Sequence, residues 1–141
     1  MDIKTRNDIE LLINCFYDKV KQDETIGFIF NNVMKVNWAQ HLPLMYDFWE
    51  TILLDAASYQ RNTMAIHFDI NRKIKLEEKY FKRWLELFTS TVAELYEGKI
   101  AELANSLKRL NTQLRAAPIP RLGSFCVLNV LLVPKLTIFP I

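Results

Sequence analysis

The sequence predicts an all-α fold built as a single domain. Only three glycines occur in 141 residues, Gly27, Gly98 and Gly123, which leaves few positions for tight turns. Apolar residues recur at i, i+3, i+4 and i+7 through long stretches, the spacing that lines one face of a helix. Half of the residues are hydrophobic, and a chain of this length supports one sizeable core but not two.

The first helix follows a cap at Asn7 or Asp8: Ile9, Leu12, Ile13, Phe16, Tyr17 and Val20 share a face, with Glu10, Asp18, Lys19 and Lys21 outward. Asp23 to Phe30 is short and dense in aromatic residues, and reads as a tight helical turn packed on the core. A second helix runs from an Asn37 cap to about Leu54. Trp38, His41, Met45, Phe48, Trp49 and Ile52 recur at helical spacing, and Pro43 removes one backbone donor near its start. The connection from Asp55 to Asn62 is polar, and a single turn at Met64 to Phe68 sets His67 on an apolar side. Asp69 to Lys75 reads as loop. From about Leu76 to Tyr96 the pattern is strongly helical, with Tyr80, Trp84, Leu87, Phe88, Thr91, Val92 and Leu95 on a broad face. Gly98 closes this helix, and Ile100, Leu103, Ala104, Leu107 and Leu114 form the face of a last one.

After Arg115 the character changes. Residues 116–141 carry Pro118, Pro120, Pro134 and Pro140 among apolar residues, and their longest apolar run is short of the roughly 20 residues that a transmembrane helix needs. We therefore divide the chain into a domain over 1–115 and a hydrophobic, proline-interrupted tail over 116–141, whose origin as non-native sequence or as a membrane contact the composition leaves open. Eighteen basic and sixteen acidic residues give a formal charge of +2, and two of the basic residues, Arg121 and Lys135, lie in the tail. No basic block of the kind that a nucleic-acid backbone demands is present. Cys15 and Cys126 form neither a disulfide framework nor a thiolate metal site. With no apolar leader at Met1 to Arg6, the expected compartment is the reducing cytoplasm.

His41 and His67 are the only histidines, and both sit in apolar, aromatic surroundings. A neutral imidazole in an oily pocket can hold haem iron and leave the opposite position open to a diatomic gas, while an interior tyrosine hydroxyl or indole N–H can donate to that gas. The commoner role of a lone histidine on an apolar face is a satisfied core residue, and spacing alone leaves both readings open. No Gly-rich phosphate loop and no Gly-x-Ser-x-Gly competes.

The ordered set Phe16-Tyr17, Gly27-Phe-Ile-Phe30, Trp38-x-x-His41, Phe48-Trp49, Tyr59, Met64-x-x-His67 and Phe81-x-x-Trp84-Leu resembles the truncated haemoglobins, group III, over about residues 5 to 110. The resemblance implies a globin-like, truncated two-over-two helical sandwich around a non-covalent b-type haem. It implies that His67 is the iron ligand, with Tyr17, His41 and Trp84 as the distal, reaction-side residues. Phe30, Met45, Phe48, Trp49, Met64, Phe68 and Phe81, with Trp84, are then expected around the porphyrin. Group III members lack the glycine motifs of other truncated globins, as does this chain. It departs from the family at Arg61 and Thr63, where a glycine and a proline are expected, at Tyr80, where many relatives carry histidine, and at Pro118 and Pro120, which interrupt a helix that normally continues past Leu114.

The implied function is binding of dioxygen, nitric oxide or carbon monoxide, in oxygen and nitric oxide redox chemistry such as nitric oxide dioxygenation or peroxidase-like turnover, with a reductase to return the iron to its ferrous form. The alternatives are a reversible oxygen store or sensor, and a haem-free helical interaction protein.

Overall fold

Thr5 starts the first helix. In the computed structural model, which describes residues 1–55 and 77–106 apart from the side chains of Glu78 and Phe81, α1 spans Arg6–Gln22. The Thr5 hydroxyl accepts from the Asp8 N–H, and the Asp8 carboxylate accepts from the Thr5 N–H at 2.9 Å. This is a capping box, so the cap expected at Asn7 or Asp8 lies earlier: Asp8 is the reciprocal partner three residues inside the helix. The expected face is buried throughout, at Ile9, Leu12, Ile13, Phe16, Tyr17 and Val20.

Asp23 ends α1 and turns the chain. Its Oδ1 accepts from the N–H groups of Thr25 and Ile26 at 2.9 and 3.1 Å, and its Oδ2 accepts from Arg83 Nε at 2.7 Å. Burial opposes its charge most strongly, but Arg83 and the two backbone donors outweigh that and hold the carboxyl below the usual carboxylate range. The turn then passes close over the end of α1. A Cβ at Gly27 would lie 3.0 Å from the carbonyl oxygens of both Val20 and Lys21, so glycine is required there by proximity. The expected helical turn is present but runs on as one π turn, Ile29–Val33, with Ile26, Ile29 and Phe30 buried.

Helix α2 spans Trp38–Leu54 and contains Pro43. The Asn37 carbonyl accepts from Gln40 and His41 N–H at 3.1 and 2.9 Å, and the Asn37 side chain makes no capping bond. His41, Met45, Phe48, Trp49 and Leu53 are buried, the helical stripe expected from their spacing with Leu53 added. Asp55, in the left-handed region at φ 54°, ends the helix.

Helix α3 spans Glu78–Leu95. Trp84, Leu85, Leu87, Phe88, Thr91 and Val92 are buried, and the Thr91 hydroxyl returns a hydrogen bond of 2.7 Å to the Leu87 carbonyl. Tyr80 is half-buried and packs on Phe28. A last described helix, α4, covers 99–106.

The start of α4 is capped from the other end of the chain. Asp2 carboxylate oxygens accept from Ile100 and Ala101 N–H at 3.1 and 3.0 Å, and the Met1 carbonyl accepts from Glu97 N–H at 3.0 Å. Burial opposes the Asp2 charge most, but backbone donors from Ile100, Ala101, Ile3 and Lys99 together hold its carboxyl low. This clamp sets the rotation of α4 so that the small residues Ala101 and Ala104 are buried, whereas Leu103, expected on the inner face, is 43% exposed. Leu107 and Leu114, the domain boundary at 115 and the tail lie outside the described residues.

Helix α1 packs against both α2 and α3. Arg6 ties it to α2 through Asp47 and Glu50, each at 2.7 Å; Lys19 ties it to Glu94 of α3 at 2.6 Å. Such partly exposed pairs contribute about 1 kcal/mol or less each, so the buried face carries the packing. Among the described residues no helix is long and apolar enough to cross a membrane.

Gly98 stands at φ 138°, and a Cβ there would collide with the Asp2 side chain. Gly98→Ala is expected to cost about 1–3 kcal/mol, measured by urea unfolding, because it combines a strained backbone with loss of the Asp2 clamp.

Candidate functional site

Two consecutive rings of α1 point into different parts of the core. Phe16 meets Trp84 edge-on at 5.1 Å and Phe88 at 5.3 Å, both on α3. Tyr17 meets His41 at 5.3 Å and Trp38 at 5.4 Å, both on α2, and Phe30 of the π turn at 5.9 Å. The two rings touch at 4.8 Å, so the aromatic network is continuous from α2 through α1 to α3. Trp49 closes it from the α2 side, stacked on Phe88 at 4.3 Å and on Trp84 at 6.2 Å.

Within this network the Tyr17 hydroxyl, both ring nitrogens of His41 and the Trp84 indole nitrogen are buried with no hydrogen-bond partner among the described residues. Leaving such groups unpaired costs roughly 1–3 kcal/mol each, and the great majority of buried polar groups in folded proteins are paired. Three polar side chains carrying this cost in one aromatic cluster are groups that a polar guest could satisfy.

Their protonation states follow from burial. Burial raises the Tyr17 hydroxyl well above the ordinary phenol range, so it remains a donor. Burial pushes the His41 imidazole down to about 4, so near neutral pH it offers one N–H and one acceptor nitrogen. The indole N–H of Trp84 only donates. The cluster is therefore neutral and rich in donors.

Of the residues expected around a cofactor, Phe30, Met45, Phe48, Trp49 and Trp84 are all buried in this core. Met64, His67 and Phe68 lie outside the described residues, as do Tyr59, Arg61, Thr63 and the side chain of Phe81. Trp38 is the residue whose part in the site the sequence reading passed over. It lies on the expected helix face, but its contacts with Tyr17, with His41 at 5.6 Å and with Phe30 at 6.1 Å make it a wall of the cluster. Its spacing of three before His41 was the available signal. No group of three or more His, Cys, Asp or Glu side chains that could hold a metal ion occurs among the described residues.

Comparison with known proteins bears on the fold. A group 3 truncated haemoglobin from Campylobacter jejuni is 29% identical over 98 residues, which is 67% of this chain and 75% of that protein. The crystal structure of the group III truncated haemoglobin from Campylobacter jejuni matches the fold with a TM-score of 0.62 and 25% identity, over 82% of this chain and 91% of that one. The chain is similar to the group III truncated haemoglobins. No family model matches the chain. The all-α, globin-like fold expected from the sequence is borne out.

The His41 environment makes stability depend on pH with a definite sign. The unfolded imidazole takes up a proton near 6.5 and the folded one only near 4, so the unfolded state binds the extra proton across that interval. The contribution is intact above 6.5 and declines on acidification, by up to ~3 kcal/mol at pH 4. Chemical denaturation of the haem-free chain and of His41→Leu should show the variant losing less stability over this interval, by about one proton; parallel curves would contradict the buried neutral imidazole.

Proposed function

We propose that this chain is a b-type haem protein that binds diatomic gases beside Tyr17, His41 and Trp84 and uses them in oxygen or nitric oxide redox chemistry. The observation that carries the reading is the set of buried side-chain donors without partners in an aromatic core. Haem fits these residues, because a flat apolar macrocycle needs aromatic walls and a polar gas on its iron needs neutral donors. When bound, haem supplies a coordination position for the gas and a one-electron couple.

The residues of the chain do the rest. His67, by its place in the family order, would hold the iron. Tyr17 keeps its proton at any physiological pH and donates it as a hydrogen bond. His41, neutral, can donate at one nitrogen and accept at the other. Trp84 adds a fixed N–H donor from α3. Phe30, Met45, Phe48 and Trp49 keep water away, so each of these hydrogen bonds acts in a medium of low dielectric and is stronger for it. A donor-rich, uncharged pocket favours gases that gather negative charge, dioxygen above carbon monoxide. A gas held by several donors leaves slowly, which suits turnover more than release on demand. Turnover requires an electron supply, and we propose a reductase as partner.

The reading is tested by the visible spectrum of the purified chain after supply of haem, ferric and then dithionite-reduced with and without carbon monoxide. A strong Soret band that shifts with carbon monoxide, and is weakened or lost in His67→Ala, is expected; a parent chain that takes up no stoichiometric haem would end the proposal.

Loss of the Tyr17 hydrogen bond should speed dioxygen dissociation about tenfold in Tyr17→Phe, the factor that corresponds to ~1.4 kcal/mol. A stopped-flow rate equal to that of the parent would remove the role given to Tyr17.

A further inference from the structure

Among the described residues, the aromatic rings that touch Tyr17 or His41 are Phe16, Phe30 and Trp38. Phe16 and Phe30 are fully buried, whereas Trp38 is half-buried, so of these described rings its indole is the one that meets solvent. Its ring meets His41 edge-on at 5.6 Å and an interplanar angle of 81°, meets Tyr17 at 5.4 Å, and stacks at 22° on Phe30. The ammonium of Lys21, at the last turn of α1, stands 4.8 Å from the centre of the indole and is itself held by Asp18 at 3.0 Å. The backbone before Trp38 is tied to the π turn by the Val36 N–H, which donates to the Phe30 carbonyl at 3.0 Å. Lys35 is in the left-handed region at φ 50°, and Asn37 caps α2 with its carbonyl alone.

We propose that Trp38 is the solvent-side wall of the pocket, a positioning residue that holds the rings of Tyr17 and His41 and past which small ligands enter beside Lys21. The second half of this statement rests on the gas-binding reading above; the first half, that the indole shields and orients the two polar residues, stands on the geometry alone. A cation over the indole face, worth about 0.5–1 kcal/mol when exposed, is strong enough to keep the ring seated and weak enough to let it swing. Loss of the ring would admit water to His41 and free its imidazole to turn.

The test is an NMR titration of the His41 ring in the full chain, in its diamagnetic carbon monoxide form if it carries haem. The parent, Trp38→Ala, Trp38→Phe and, as a distant control on α2, Tyr46→Phe are compared, with circular dichroism confirming the helical fold. His41 is expected to titrate near 4 in the parent and in Tyr46→Phe, to move toward the ordinary 6.5 in Trp38→Ala, and to return most of the way in Trp38→Phe. Carbon monoxide association, followed after flash photolysis, should be faster in Trp38→Ala than in the parent.

A His41 titration unmoved in folded Trp38→Ala would overturn the inference even if haem is bound. A titration that moves in a chain without haem would uphold the shielding role while ending the gas-binding reading. Faster association in Tyr46→Phe as well would reduce the effect to general loosening and overturn the entry role. Should Trp38→Ala not fold, Trp38→Leu keeps apolar volume without a ring edge and carries the same comparison.

Discussion

Phe16 and Tyr17 are neighbours in sequence and both fully buried, and the rest of the molecule is arranged to make that possible. Successive helical residues diverge by about 100°, so two adjacent large rings can both be interior only if their helix has packing partners on two sides. Helix α1 has them: α3 receives Phe16 through Trp84 and Phe88, and α2 receives Tyr17 through Trp38 and His41. The charged ties at Arg6 and Lys19 reinforce an arrangement that the rings have already imposed.

The same packing explains how the molecule tolerates unpartnered polar groups. A buried Leu-sized or aromatic side chain contributes roughly 1.5–3 kcal/mol relative to exposure, and the core of this chain holds many of them. Against that, the unpaired groups of Tyr17, His41 and Trp84 are a local loss set inside a large gain. Sites for ligands commonly have this form: a rigid apolar frame, fixed by its own packing, in which a few polar atoms remain available because no neighbouring protein group satisfies them. Rigidity matters as much as polarity here, since Trp49, Trp84 and Phe88 form one stack that fixes the indole N–H in direction.

How far the sequence could be read depended on residue size. Long stripes of large residues, such as Ile9 to Val20 in α1 and Trp84 to Val92 in α3, announced both helix and buried face, because large apolar groups have few alternatives to the core. Residue identity also marked Tyr17, His41 and Trp84, although their lack of partners is a property of three helices together and cannot be seen along one. Where small or polar residues decide, the reading slipped. The pattern suits a cap at Asn7 or Asp8, whereas Thr5 caps and Asp8 answers it, since residues of both types suit either position. Helical spacing puts Leu103 on the inner face with Ile100 and Ala104, yet Leu103 is exposed. Its helix is rotated by a clamp from Asp2, nearly a hundred residues away, and no local pattern contains that contact. Trp38 was read as one more stripe residue, and its half-exposed position beside Lys21 emerges only once α1 and α2 are packed.

The Asp2 clamp has a consequence for the order of events during synthesis. The Asp2 carboxylate has distant partners at Ile100 and Ala101, so it keeps only its local bond from Ile3 N–H until most of the helical core has been made. Contacts of such sequence separation close late because the loop entropy they cost must be offset by structure formed in between. The segment around Asp2 is thus among the last to settle, and its seating records that the helices between have already docked.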